Sequence, residues 1–309
     1  MATKIKELEF KKILEMLNEF DSDSVYEEVN ILPNSEDLRA QVEKYVDTKS
    51  INKRSVFGID IYRYGMYNHL EQTLIPPVFK ILFNKAIKLS LENNQFVFQK
   101  YTKESIENAF ISTGDGGFVI FDNPLHALFF AINFEMLVRA YNSYHLYPKL
   151  RDITGSISLR YAITTDTIHS FDHNFYGTAI INNSRILEKD SLNRCLIDQD
   201  TYNWFLINID GIENLQVLTI REIANIYEFQ DYDRTFLSGE NEIMNTRVSR
   251  YSGIINSDIS KIGQIKSKEM NLNIYNLHLQ VTMKASSSAK SKSQRTITIS
   301  IGNLNTSGI

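Results

Sequence analysis

The stretch Ile111-Ser-Thr-Gly-Asp-Gly-Gly-Phe-Val-Ile-Phe121 decides how the rest of the chain is read. An apolar approach, the turn Gly114-Asp-Gly-Gly117 and the β-rich run 118–121 make a hairpin, because Gly and Asp tolerate the positive φ of tight turns. Asp115 then stands at the hairpin tip, between strands that hold it still. A rigid carboxylate beside exposed glycine amides suits a metal that must meet a phosphate. A turn that merely favours Asp-Gly accounts for the same residues, so the flanking segments have to choose between the two.

Upstream, Val56-Phe-Gly-Ile-Asp-Ile61 is an apolar run interrupted by one acid. It reads as a buried central strand, where a carboxylate is costly unless it is paired or bound to a cation. Tyr62-Arg-Tyr-Gly65 turns the chain, and residues 66–91 follow helical spacing, with Pro76-Pro77 expected to kink or interrupt the helix. Downstream, Pro124 suits the first turn of a helix reaching about residue 144, with Leu128, Ala131, Ile132, Glu135 and Leu137 in register. Residues 157–165 alternate as a strand, and a His- and Asp-containing loop over 167–175 leads to Tyr176-Gly177. Residues 178–188 form a helix carrying Arg185. A short strand over 192–197, a helical turn over 200–205 and a strand pair over 217–229 complete this region. The order β-α-β-β-α-β predicts an α+β fold of ferredoxin-like type.

The ends have a different texture. Residues 5–20 place Ile5, Leu8, Ile13, Leu17 and Phe20 near helical spacing, and a second helix is expected over 36–46. Beyond residue 232, Asn, Ser and Ile dominate; residues 272–283 read as a long strand and 295–301 as a second one, across a Ser/Lys-rich turn. The chain therefore divides into an N-terminal helical segment (1–50), a core (51–232) and a β-rich C-terminal extension (233–309).

Composition excludes several classes. A net charge of −4 with 23% charged residues gives no bulk sign of nucleic-acid binding. The single cysteine, Cys195, leaves no pair for an intramolecular disulfide and fits a reducing cytoplasm. No apolar run approaches the roughly 18 residues a bilayer span needs, and the charged N-terminus lacks a signal-peptide core. His169 and His173 share a loop with Asp172, but one cysteine and no second ligand pair argue against zinc. The serines show no nucleophile-elbow pattern.

Phe57-Gly-Ile-Asp-Ile61, Thr113-Gly-Asp-Gly-Gly-Phe118, Leu159-Arg-Tyr-Ala-Ile163 and Tyr176-Gly177 with Arg185-Ile-Leu-Glu188 follow one another in that order. In these motifs, over residues 51–230, the chain resembles the class III nucleotidyl cyclases. The resemblance implies a catalytic domain over 51–232 in which Asp60, Asp115 and the backbone carbonyl of Ile61 hold two divalent ions, Mn²⁺ or Mg²⁺. It makes Arg185, eight residues after Gly177, the residue that acts on the phosphates. The chemistry suits these residue types. The ribose 3′-oxygen of a nucleoside triphosphate attacks the α-phosphorus and pyrophosphate leaves, with hard carboxylate oxygens holding the ions and an arginine meeting the developing charge. Family sites form between two subunits, so one set of motifs in one chain implies a homodimer with two shared sites.

The departures from the family pattern concern the base. Purine cyclases carry Lys or Glu four residues before the second metal aspartate, where this chain has Ile111. They carry Asp or often Cys three residues before the helix-starting glycine, where it has Asn174. Tyr64 replaces the usual Phe four residues after Asp60; its ring and hydroxyl can narrow a pocket and bond to a smaller base. The ribose-positioning Asn of the family falls on Ile181, leaving Asn182 as the candidate one register on. With its N-terminal helices, its β-rich tail and no membrane or sensor segment, the chain resembles the bacterial stand-alone pyrimidine cyclases of anti-phage defence. That resemblance implies cyclic UMP from UTP, or cyclic CMP from CTP, as a second messenger read by a separate effector. A conventional adenylate or guanylate cyclase, and a catalytically inactive nucleotide-binding module on the same fold, are the competing readings.

Overall fold

A computed structural model describes residues 5–19, 35–46, 51–190, 194–215, 253–266, 271–285, 295–305 and 307–309. Helices α1 (Phe10–Glu19) and α2 (Ser35–Val46) precede β1 (Lys53–Ile61), which carries Asp60. A 3₁₀ turn at Tyr64–Met66 leads to α3 (His69–Asn93), α4 (Gln95–Phe98), α5 (Lys103–Asn108) and the hairpin of β2 (Phe110–Ser112) and β3 (Gly116–Phe121). Next come α6 (Pro124–Asn142), α7 (Pro148–Thr154), β4 (Leu159–Thr167) and a second hairpin, β5 (His169–Phe171) with β6 (Asn174–Tyr176). Then α8 (Thr178–Lys189), β7 (Cys195–Asp198) and α9 (Gln199–Leu215) are followed by β8 (Gly253–Lys266), β9 (Asn271–Ala285) and β10 (Arg295–Ile301).

The main sheet runs β10-β9-β7-β4-β1-β3-β2, with β8 also pairing β9. Its segment β4-β1-β3-β2 is antiparallel throughout and is the product of the β-α-β-β-α-β order read from the sequence. From Val56 to Ile61, β1 is apolar except for Asp60, because both of its faces are covered. Phe57, Ile59 and Ile61 join Phe83 of α3 and Phe130 and Phe134 of α6 in one core. Val56, with Phe118, Ile120 and Ala162, meets Ala179, Ile186 and Leu187 of α8 in a second. Side chains alternate faces along a strand, so Asp60 belongs to the α8 side.

Gly58 lets α8 come this close to β1. A Cβ at Gly58 would stand 1.8 Å from Asn183 Oδ1. Asn183 is fully buried, and its Nδ2 donates to the Val56 carbonyl at 2.9 Å and to the Ala162 carbonyl at 3.1 Å. One amide thus ties α8 to both β1 and β4.

The proline pair does not interrupt α3, which excludes one of the two outcomes expected from the sequence. Pro76 has no N–H for the Gln72 carbonyl one turn earlier. The Tyr64 hydroxyl donates to that carbonyl at 2.6 Å, so the freed acceptor is satisfied and the helix continues. The first helix starts at Phe10 rather than residue 5, because the preceding residues are extended: Leu8 N–H donates to the Ser170 carbonyl and Ser170 N–H to the Lys6 carbonyl, each at 2.7 Å. The loop expected over 167–175 contains the β5–β6 hairpin, whose turn residues Asp172 and His173 take φ of 48° and 58°. The expected turn over 200–205 is the start of a 17-residue helix. The strand pair expected over 217–229 lies outside the described residues. Strand β9 pairs β7, so the C-terminal strands continue the sheet of the core, and β8 is a strand that the Asn- and Ser-rich sequence did not announce.

Asp198 caps α9: its Oδ1 accepts from Thr201 N–H at 2.9 Å, while its Oδ2 accepts from Thr165 N–H at 3.1 Å. Burial pushes this carboxyl from 3.8 up to about 6, outweighing those bonds. A carboxyl raised on folding stabilises fully below its unfolded pKa and loses that contribution as pH rises through the folded one. Asp198→Asn is therefore expected to flatten the fall in unfolding temperature between about pH 4 and pH 6.5. Thermal denaturation across that range checks it, and a slope equal to that of the parent protein contradicts it.

Candidate functional site

Asp60 lies next to last in β1, opposite Gly116 of β3 on one side and Arg160 of β4 on the other. Gly116 has to lack a side chain, since a Cβ there would stand 2.0 Å from the Ile59 carbonyl oxygen. Gly114, at φ 98°, supplies the left-handed turn residue. Between them Asp115 is fixed through its backbone: its carbonyl accepts from Ile61 N–H at 2.9 Å. Thr113 Oγ1 donates to Asp115 Oδ1 at 3.2 Å. The hairpin tip is thereby fastened to the end of β1, and two aspartates far apart in sequence share one end of the sheet.

The Asp60 carboxyl is displaced above the usual carboxylate range. Burial is the main cause; the Arg160 hydrogen bond and charge pull the other way, and the negative charge of Asp115 adds to the rise. Arg160 Nε donates to Asp60 Oδ2 at 2.7 Å, and its Nη2 pairs with the same oxygen. Sequence reading gave Arg160 no role. Its signal was Asp60 itself, a strand carboxylate in need of a counterion, but the identity of that counterion is set by the β1–β4 register.

Arg185 is exposed on α8, one helical turn after the exposed Ile181, and has no hydrogen-bond or ion-pair partner among the described residues. The charges that shift Asp60 are those of Arg160 and Asp115; Arg185 is not among them. Within one chain, no hydrogen bond or ion pair among the described residues joins Arg185 to either aspartate. Asn182, the sequence candidate for ribose, is 3% exposed and faces away from the Arg185 ridge, with its Oδ1 unpaired among the described residues. The helical phase is the reason: Ile181 and Arg185 are four residues apart and share a face, whereas Asn182 is turned about 100° inward.

The three base candidates fall in different settings. Ile111 packs against the α8-side core, and so does Phe175 of β6, a residue that sequence reading passed over for its neighbour. Asn174 is exposed at the start of β6, its Oδ1 accepting from Phe175 N–H at 2.9 Å. Tyr64 is held by its own contacts. Its hydroxyl proton goes to the Gln72 carbonyl freed by Pro76, which leaves the phenol oxygen as an acceptor, and its ring packs against the α3 side.

Among the described residues no three His, Cys, Asp or Glu side chains gather as a metal cluster, and His169, Asp172 and His173 are no exception. No helix among those residues is long and apolar enough to cross a membrane. A cleft of about 940 Å³ lined by Arg54, Tyr101, Asp122, His173 and Phe175 opens at the other end of β1. Arg54 is six residues, or roughly 20 Å of strand, from Asp60, so this cleft is distinct from the aspartate pair.

No protein-family model and no curated protein sequence matches the chain. Among solved structures, it is similar to an adenylate/guanylate cyclase/hydrolase from Silicibacter pomeroyi, at 14% identity over 73% of this chain and 96% of that one, with a TM-score of 0.37. An adenylyl cyclase from P. aeruginosa aligns at 15% identity over 77% and 96%, with a TM-score of 0.38. The guanylate cyclase domain of a Catenaria anguillulae protein, in complex with GTP, aligns at 10% over 74% and 96%, with a TM-score of 0.41. At these scores the likeness carries no argument about chemistry, which has to come from the residues of this chain.

Proposed function

We propose that this protein is a nucleotidyl cyclase that converts a nucleoside triphosphate to its 3′,5′-cyclic nucleotide and pyrophosphate, with a pyrimidine nucleotide, UTP or CTP, as substrate. The observation that carries the reading is the joining of Asp60 and Asp115 at one end of β1, through the bond from Ile61 N–H to the Asp115 carbonyl, beside strands that leave them no freedom. The pair fits a divalent cation. One carboxylate is desolvated, the other adds negative charge beside it, and a cationic side chain already faces the first. Asp60, Asp115 and the Ile61 backbone would hold Mn²⁺ or Mg²⁺. Bound there, the ions would lower the pKa of the attacking ribose hydroxyl and neutralise the triphosphate.

The remaining residues bind and orient. Arg185, exposed and without a partner among the described residues, offers its guanidinium donors to the phosphoryl oxygens. No ion pair joins it to the aspartates of its own chain among the described residues, and the family resemblance puts arginine and aspartates on different subunits, so the reading takes a second copy, two-fold related, with Arg185 of each completing the aspartate pair of the other. Ile111 offers the base an apolar contact without purine-reading hydrogen bonds, and Asn174 supplies an amide that suits uracil or cytosine. Ile181 takes the ridge position beside Arg185, and ribose is held either by Asn182, one register on, or by contacts outside α8. A role as a defence second messenger follows from the same resemblance and depends on the identity of the product.

Incubating the purified protein with Mn²⁺ and all four ribonucleoside triphosphates together, and resolving products by chromatography and mass, tests both reaction and base. A cyclic pyrimidine nucleotide is expected. Cyclic AMP or cyclic GMP instead would overturn the assignment of Ile111 and Asn174.

A further inference from the structure

Arg160 is the cation in contact with Asp60, and the proposed reaction leaves it without a task. It stands directly across the β1–β4 ladder from Asp60. Two of its nitrogens converge on one oxygen, Asp60 Oδ2, with Nε at 2.7 Å. The third, Nη1, donates to the backbone carbonyl of Asp190, the C-terminal cap of α8. The Asp60 and Arg160 side chains are 19% and 18% exposed, so water and small ions reach the pair.

The Asp190 seat is fixed from behind. Asp190 Oδ1 accepts from Arg194 Nε at 3.0 Å and its Oδ2 from Arg194 N–H at 3.1 Å, both side chains being 1% exposed. Arg194 Nη1 donates in turn to the Ser307 carbonyl at 2.6 Å, which pins this corner to the C-terminal tail. Arg160 thus has one bond to a rigid carbonyl and two to a carboxylate at the edge of solvent.

We propose that Arg160 is a tethered cation that holds Asp60 in place of the metal, and that a divalent ion displaces it while Nη1 stays on the Asp190 carbonyl. This rests on the reading of Asp60 as a metal ligand. A guanidinium keeps its charge at any working pH, so the exchange is cation for cation and the two aspartates never face each other bare. The same oxygen cannot serve two guanidinium donors and a metal at full strength, so Arg160 sets the metal affinity of the protein before nucleotide arrives. It is a positioning residue: it acts on the reaction through Asp60.

The test is Mn²⁺ titration of the full-length protein without nucleotide, following the electron paramagnetic resonance signal of free Mn²⁺. Arg160→Gln is expected to lower the Mn²⁺ Kd about tenfold, the equilibrium weight of one charge-assisted hydrogen bond. Arg160→Lys keeps the charge without the fork and is expected to fall between Arg160→Gln and the parent protein; it carries the test if Arg160→Gln does not fold. Thermal unfolding in EDTA reports whether each variant is folded. A folded Arg160 variant that binds Mn²⁺ no more tightly than the parent overturns the proposal. Asp60→Ala separates the two readings. If Mn²⁺ binding survives that change, the metal assignment of Asp60 is wrong; if it is lost yet ignores Arg160, only the present inference falls.

Discussion

Asp60→Asn removes at least about 10³-fold of the rate of cyclic-nucleotide formation while leaving the protein folded. The substitution keeps the shape of the side chain, and the amide oxygen still accepts from Arg160, whose Nε lies 2.7 Å from Asp60 Oδ2. What is lost is the negative charge that would ligate a cation, so the effect falls on metal and turnover and spares packing. Asp60→Ala is the coarser experiment. It leaves the Arg160 guanidinium, only 18% exposed, without its carboxylate, a loss on the order of 1–3 kcal/mol that confuses stability with chemistry. Initial rates at saturating Mn²⁺, alongside the unfolding temperature, separate the two. An Asp60→Asn protein that keeps a tenth of the parent rate would remove Asp60 from the site.

Arg185→Ala has the opposite profile to a core substitution. Arg185 is exposed and has no partner among the described residues, so the change in stability is expected within about 0.5 kcal/mol. Turnover is expected to fall about 10²- to 10³-fold, the usual weight of a preorganised donor on developing phosphoryl charge. The loss should appear in kcat more than in KM, since the charge it meets grows toward the transition state. A silent surface arginine would leave both unchanged. Comparison of Michaelis parameters and unfolding curves for the two proteins decides it.

The parts of the fold carried by short-range pattern were legible in the sequence. β1 was visible as an apolar run, the β2–β3 hairpin as a Gly-Asp-Gly-Gly turn, and α6 and α8 by their periodicity. What escaped depended on partners distant in sequence. The bond from the Tyr64 hydroxyl to Gln72 escaped because nothing local shows that Pro76 frees a carbonyl for it. Arg160 looked like one polar residue of an alternating strand, since its position opposite Asp60 exists only once β1 and β4, a hundred residues apart, have paired. The burial of Asn182 has a local reason that was available. Spacing from Gly177 fixes Arg185 on the outer face of α8, and the same periodicity turns Asn182 inward. Likewise β8 carries little apolar alternation, because its edge-like Asn and Ser residues rely on the long ladder to β9.

The central claim is that Asp60 and Asp115 of one copy act together with Arg185 of another. Its most direct test mixes Asp60→Asn and Arg185→Ala subunits, differently tagged, and isolates the mixed dimer. Two-fold symmetry makes one of its sites carry both lesions and the other neither, so about half of the parent activity is expected from two nearly inactive proteins. A purified mixed dimer as inactive as its parents would contradict the shared site and, with it, the functional reading of Arg185.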